Sequence, residues 1–199
     1  RYTHETISLG FAITEEAIED NLYDRLAQRY TKALARSMAQ TKQIKAASPL
    51  NNGFNGNFKA GDGSNLFASN HPTINGTFSN TLATAADLNE TSLEQAMIDI
   101  AALTDERGLK IAASAKSMVI PSALQFTAER LMKSSQRVGT ADNDINALVS
   151  KGMVPGGYSV NNFLTDPDAF FLITDVPNGM KHLESCLLYT SDAADETCR

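Results

Sequence analysis

Cysteine is nearly absent: residues 1–184 contain none, and Cys186 and Cys198 both fall in the last fifteen residues. A disulfide-stapled body is therefore excluded, and no Cys-x-x-Cys or neighbouring His pair supports a zinc site. No apolar run reaches the roughly 18 residues that a spanning helix requires. The start also lacks the charged-then-apolar pattern of a secretory leader, so a soluble, intracellularly made protein is expected. Signatures of catalysis are missing too. Gly61-Asp62-Gly63-Ser64 has no Gly-Lys-Ser/Thr to cradle a phosphate, no third glycine for a dinucleotide turn and no Gly-x-Ser-x-Gly elbow. Turn chemistry accounts for it. His71, isolated before Pro72, reads as a turn or packing residue.

Glycine and proline are also missing between Thr14 and Ser48, and acids are missing between Arg25 and Lys59. What fills that stretch is a helical pattern. Thr14 is a good N-cap, Glu15 and Glu16 put negative charge in the first turn, and Ile18, Leu22, Leu26, Tyr30, Leu34 and Met38 recur every fourth residue. The spacing predicts one unbroken helix ending near Ala47, on the order of 50 Å long at 1.5 Å per residue. A domain of this size does not need such a rod for its own core. Its charges are segregated: five acids from Glu15 to Asp24, then seven bases from Arg25 to Lys59. Two readings stay open, namely macrodipole matching with solvated faces, or a rod whose two ends meet different partners. On the second, Glu15, Glu16, Glu19, Arg25, Arg29, Lys32 and Arg36 are the subunit-interface candidates.

The 199 residues suffice for one domain or two small ones, and an apolar content of 42% can bury a core. A net charge of −6 argues against a dedicated DNA-binding domain, although the basic stretch leaves weak phosphate contact open. Thr6 to Ile13 alternates as a strand, with Ile7, Leu9, Phe11 and Ile13 on one face. After Pro49 an Asn/Gly-rich loop follows, with a short hairpin around Phe54 and Phe58. Thr91-Ser92-Leu93-Glu94 is a capping box that starts a helix through Glu106, with Leu93, Met97, Ile100 and Thr104 on one side and Gly108 as its stop. Ser117 to Ile120 is a buried strand, and Pro121 opens a helix carrying Leu124, Ala128, Leu131 and Met132. Asp142-Asn143-Asp144-x-Asn146 starts like a calcium loop, but Ala147 stands where glycine is needed and the distal Glu is absent, so a cap for a helix through Val149 is expected. Strands follow at Tyr158–Val160 and at Ala169–Thr174, the latter buried, with Phe170, Phe171 and Leu172 against Leu93, Met97, Ile100 and Val119. The pattern is α+β.

The order of these parts resembles the major capsid proteins of tailed double-stranded DNA bacteriophages, with the Hong Kong 97-type fold, and most of all the Mu-like major head subunit. The residues that carry the resemblance are Gly10-Phe-Ala-Ile-Thr-Glu-Glu-Ala-Ile-Glu-Asp-Asn-Leu-Tyr before the helix, then Gly61-Asp-Gly and Leu66-Phe-Ala-Ser-Asn-His-Pro. Leu93 to Leu109 and Met118-Val-Ile-Pro complete the set. The resemblance implies a phage capsid fold with a long spine helix in a peripheral domain and a mixed α/β axial domain. Residues 6–13 would be the returning strand of the extended loop and 15–47 the spine; residues 1–89 would hold these with the peripheral loops, and 90–184 would be axial. It also implies a non-enzymatic structural subunit that self-assembles into hexamers and pentamers, with scaffold and portal proteins as partners, non-specific contact with packaged DNA, no cofactor, no metal and no membrane. The virion, and the host cytoplasm during assembly, would be its locations. Residues 185–199 look like a translated sequencing adaptor and read as a non-native tail, and Arg1 in place of Met is expected of a chain that begins inside a longer frame.

Two rivals are open to a test by geometry. A hydrolase would need Ser64, His71 and Asp62 within hydrogen-bond reach of one another. A nucleic-acid-binding module would need the bases of the rod on one exposed face with stacking aromatics, whereas Tyr30 lies on the apolar stripe.

Overall fold

A computed structural model describes residues 6–20, 23–137 and 144–176. In chain order the elements are α1 (Glu15–Glu19), α2 (Tyr23–Asn51), β1 (His71–Thr73), β2 (Gly76–Phe78), α3 (Glu90–Ala101), β3 (Ala115–Ile120), α4 (Gln125–Lys133), α5 (Ala147–Ser150), β4 (Tyr158–Val160) and β5 (Phe171–Thr174). The class is α+β, as expected. β3 is the central strand of a three-stranded sheet, parallel to β4 and antiparallel to β5. Met118 and Ile120 alternate inward on either side of half-buried Val119, and the irregularity between Ala115 and Ser117 shifts the register so that Ala115 is buried while Lys116 is exposed. Leu88, Leu93 and Met97 of the α3 region, Ala128 and Leu131 of α4, Leu148 of α5 and Val154 join Met118 and Ile120 in one cluster. Gly156 lets the β4 approach pass close to β3, since a Cβ there would meet the Lys116 carbonyl oxygen at 2.7 Å. The expectations for the β3 strand, for the helix after Pro121 with Ala128 and Leu131 inward, and for β4 are met.

The long helix is not continuous. Thr14 caps as expected, its Oγ1 accepting from the Ala17 amide at 3.4 Å, but the helix stops at Glu19 and Asp20 leaves helical geometry at φ −76°, ψ 5°. The Phe11 and Tyr30 rings lie 5.7 Å apart, so the segment before α1 folds back beside α2. At its other end α2 passes Ala47 and Pro49 to reach Asn51. Proline removes one N–H from the last turn. Hydrogen bonds beyond it offset the loss: the Asn52 amide bonds to Ser48 O, Asn51 Nδ2 donates to Phe163 O at 2.9 Å, and Asn51 Oδ1 accepts from the Thr165 amide at 3.1 Å.

Other expectations are corrected. Residues 6–13 form no strand: they pair with no ladder partner among the described residues, and Leu9 and Phe11 stay exposed. The hairpin placed at Phe54 and Phe58 lies at Lys59–Asn65 instead, where Ala60 N bonds to Ser64 O and Asp62 Oδ1 holds the Ser64 amide. A second hairpin, β1–β2, was not expected. α3 is capped by Asn89, not Thr91: Asn89 and Ser92 bond each other's backbone amides reciprocally. It ends at Ala101 rather than Glu106 because Asp105 Oδ1 captures the amides of Arg107 and Leu109 and turns the chain, with Gly108 at φ 85°. β5 is shorter than expected and half-buried, an edge strand. Phe170 and Leu172 do pack on the core, but Phe171 turns away to the Phe67 ring, 5.2 Å distant. Asn146 caps α5 as expected and is 1% exposed. The 185–199 tail lies outside the described residues.

Candidate functional site

The interface candidates fall on two helices. Glu15, Glu16 and Glu19 lie exposed on α1, and Arg25, Arg29, Lys32 and Arg36 lie exposed on α2. The four bases are spaced 4, 3 and 4 residues apart, which at about 100° per residue confines them to a sector of roughly 60°. Leu26, Tyr30, Leu34 and Met38 occupy the opposite side; Leu26, Leu34 and Met38 are half-buried and Tyr30 is 47% exposed. α2 is thus a rod with a basic edge and an apolar edge. Its fastening is at the C-terminal end, where Ala47 is fully buried and Asn51 is tied to the 163–165 loop. There Gly53 lies against the Phe67 ring, which also touches Phe54 and Phe171. None of the four bases joins an ion pair among the described residues. They share one exposed face, the first condition for a nucleic-acid surface, but Tyr30 stays on the apolar edge and no aromatic of α2's described side chains lies among them.

Asp62 and His71 do come together. His71 Nδ1 lies 2.5 Å from Asp62 Oδ2, and the Asp62 carboxyl is held below its usual range first by that hydrogen bond, then by the Ser64 amide. Ser64 joins through its backbone only. His71 Nε2, the atom that would have to take a serine proton, is buried and has no hydrogen-bond partner among the described residues. The nucleophile–base link of the hydrolase reading is therefore not made. What the pair does is tie the 59–65 hairpin to β1, with the His71 ring 6.0 Å from Phe78. The turn at residues 61–64 was legible in the sequence, but the pair was not, because contact across nine residues depends on how that turn meets β1.

A second side-chain network escaped sequence reasoning. Glu129 accepts from the Tyr158 hydroxyl at 2.5 Å and pairs with Lys133 at 2.5 Å. Lys133, then Tyr158, hold the Glu129 carboxyl low, and Glu129 in turn raises Tyr158 and Lys133. The i,i+4 spacing of Glu129 and Lys133 was the available signal. Among the described residues no group of three or more His, Cys, Asp or Glu side chains could hold a metal. Asn146 spends its oxygen on the Leu148 amide and its Nδ2 on Leu131 O and Ser134 O, which leaves no ligand there; Asp142 and Asn143 lie outside the described residues. An open depression of about 430 Å³ beside the α3 N-terminus is lined by Leu82, Thr84, Asn89, Thr91, Ser92 and Gln95 among others, and no charged group lines it. Among the described residues no helix is long and apolar enough to cross a membrane.

Residues 1–189 match the model of a family described as phage capsid protein. No curated protein and no solved structure matches the chain.

Proposed function

Since this chain belongs to the phage capsid protein family, we propose that it is a major head subunit of the Mu-like, Hong Kong 97-type class, assembling into hexamers and pentamers of an icosahedral shell around a double-stranded DNA genome. A structural role and a place in the virion follow from the family itself. In the proposed arrangement α2 is the spine of a peripheral domain spanning residues 1–89. The β4-β3-β5 sheet with α3 and α4 is the axial domain, residues 90–184, and residues 185–199 are a non-native tail. Scaffold and portal proteins and packaged DNA would be further partners, and assembly would take place in the host cytoplasm. Glu15, Glu16, Glu19, Arg25, Arg29, Lys32 and Arg36 would lie at subunit boundaries.

The observation that supports this reading is α2 itself: a 29-residue helix fastened at its C-terminal end, with four exposed bases that no acid of the described subunit neutralises. A helix of that length stabilises a fold only through the surface it buries. Much of this one is available to a neighbour. Many weak contacts repeated by symmetry hold a shell, and their weakness lets misplaced subunits leave before closure. Sedimentation velocity of the purified chain tests the reading. Concentration-dependent large species are expected, and a monomer at every concentration would contradict it.

A further inference from the structure

From the charge pattern we infer which surface receives the rod: the basic edge of α2 docks on the outer face of α3, flanked by the carboxyls of Glu94 and Asp99, in a second copy of this chain. The inference rests on the self-association reading above and names its contact. Residues 25–59 hold seven bases and no acid, and residues 60–106 hold seven acids and neither Lys nor Arg. Two adjoining segments of one chain thus carry opposite charge. Among the described residues the four bases of the rod's edge are not neutralised by that acidic segment. Glu90 pairs with Arg137 and Asp62 with His71, while Arg25, Arg29, Lys32 and Arg36 join no ion pair among the described residues.

The two surfaces also match in size. From Arg25 to Arg36 the basic edge runs about 17 Å, and the twelve residues of α3 make about 18 Å. α3 buries Leu93, Ala96 and Met97 and turns Ile98 outward, with the half-buried carboxyls of Glu94 and Asp99 on its two margins, Asp99 also accepting from Gln95 Nε2 at 2.8 Å. Ile98 is 62% exposed and supplies an apolar centre, with exposed Asp87 before the helix and exposed Glu106 after it. The aliphatic stems of Arg29, Lys32 and Arg36 can cover Ile98 while their charged heads reach the flanking carboxylates. Such a contact joins two different patches, so it is head-to-tail. Each subunit keeps one open rod and one open α3, and addition continues until a ring closes.

Charge reversal with a cross-over tests this. The double variant Arg29→Glu/Arg36→Glu and the double variant Glu94→Lys/Asp99→Lys should each weaken assembly at low salt on the order of tenfold, because two attractive pairs become repulsive. Mixed one to one, the two variants should co-assemble, since each acidic rod then meets a basic α3 and each basic rod an acidic one. Circular dichroism identifies a variant that misfolds, in which case Arg29→Gln/Arg36→Gln and Glu94→Gln/Asp99→Asn replace the pair, each still weaker than the parent. Variants that assemble like the parent across a salt series would overturn the α3 contact and leave self-association standing. So would a rod variant that assembles normally but loses retention of a duplex DNA fragment, which would give the basic edge to nucleic acid. A parent chain that never associates would remove the self-association reading, and this inference with it.

Discussion

Asn51 fixes the angle at which the rod leaves the body, and its replacement gives a graded test. Its Nδ2 donates to Phe163 O at 2.9 Å and its Oδ1 accepts from the Thr165 amide at 3.1 Å, so one side chain closes two long-range hydrogen bonds. Each is worth about 0.5–1.5 kcal/mol net, and Asn51→Ala also leaves Phe163 O and the Thr165 amide without their partner. The expected cost is about 2 kcal/mol, which for a chain of this size lowers Tm by roughly 4–8 °C. Asn51→Asp should fall between parent and Ala: it can still accept from Thr165, but it faces the Phe163 carbonyl with a carboxylate and no donor. Hydrogen exchange then locates the loss, with faster exchange expected near residues 47–53 and 163–165 while the β3 amides stay protected. If Asn51→Ala leaves both Tm and exchange unchanged, the tether does not hold the rod. If Asn51→Asp and Asn51→Ala are equally costly, the Thr165 bond contributes nothing.

Further outcomes are expected for the core, the α5 cap and the acid limb of stability. Leu93→Ala, at a fully buried position, should cost about 2–5 kcal/mol. Phe171→Ala, half-buried against Phe67 on an edge strand, should cost only about 1–2.5 kcal/mol, and urea unfolding of the two variants side by side checks the order. Asn146→Ala removes a buried cap and unpairs the carbonyls of Leu131 and Ser134; a loss of about 2–4 kcal/mol is expected, and a drop in Tm no larger than that of a surface substitution would show the site to be hydrated instead. The carboxyls of Asp62, Glu129 and Asp175 are all depressed on folding, so their contribution is present above the unfolded values near 4 and is lost as pH falls through the lower folded ones. Melting curves from neutral pH down to about 3 should show that loss, and Asp62→Asn should lessen its steepness.

How much of this was legible in the sequence follows from what each residue responds to. Met118 and Ile120, Ala128 and Leu131, and the Asn146 cap were readable because strand alternation, helical spacing and capping are local. The break at Asp20 was not, since Thr14 to Ser48 carries no glycine or proline to mark it and the Phe11–Tyr30 contact that accompanies it joins residues nineteen apart. The run of α2 past Ala47 and Pro49 was not legible either, since the Asn51 tether beyond them joins residues more than a hundred positions apart. Thr91 and Asn89 are both good caps, and the reciprocal Ser92 bond selects Asn89. At the candidate site the 4, 3, 4 spacing of Arg25, Arg29, Lys32 and Arg36 already placed them on one edge. The Asp62–His71 pair needed the fold, and so did the outward turn of Ile98 between Glu94 and Asp99 on α3.

The most direct test of a self-assembling shell subunit is electron cryomicroscopy of the particles that the chain forms in vitro. Closed particles are expected in which α2 lies along a subunit boundary, with Arg29 and Arg36 facing α3 of the neighbour. Failure to form any particle would refute self-assembly, and particles in which both edges of α2 face solvent would refute a role for the rod at subunit boundaries.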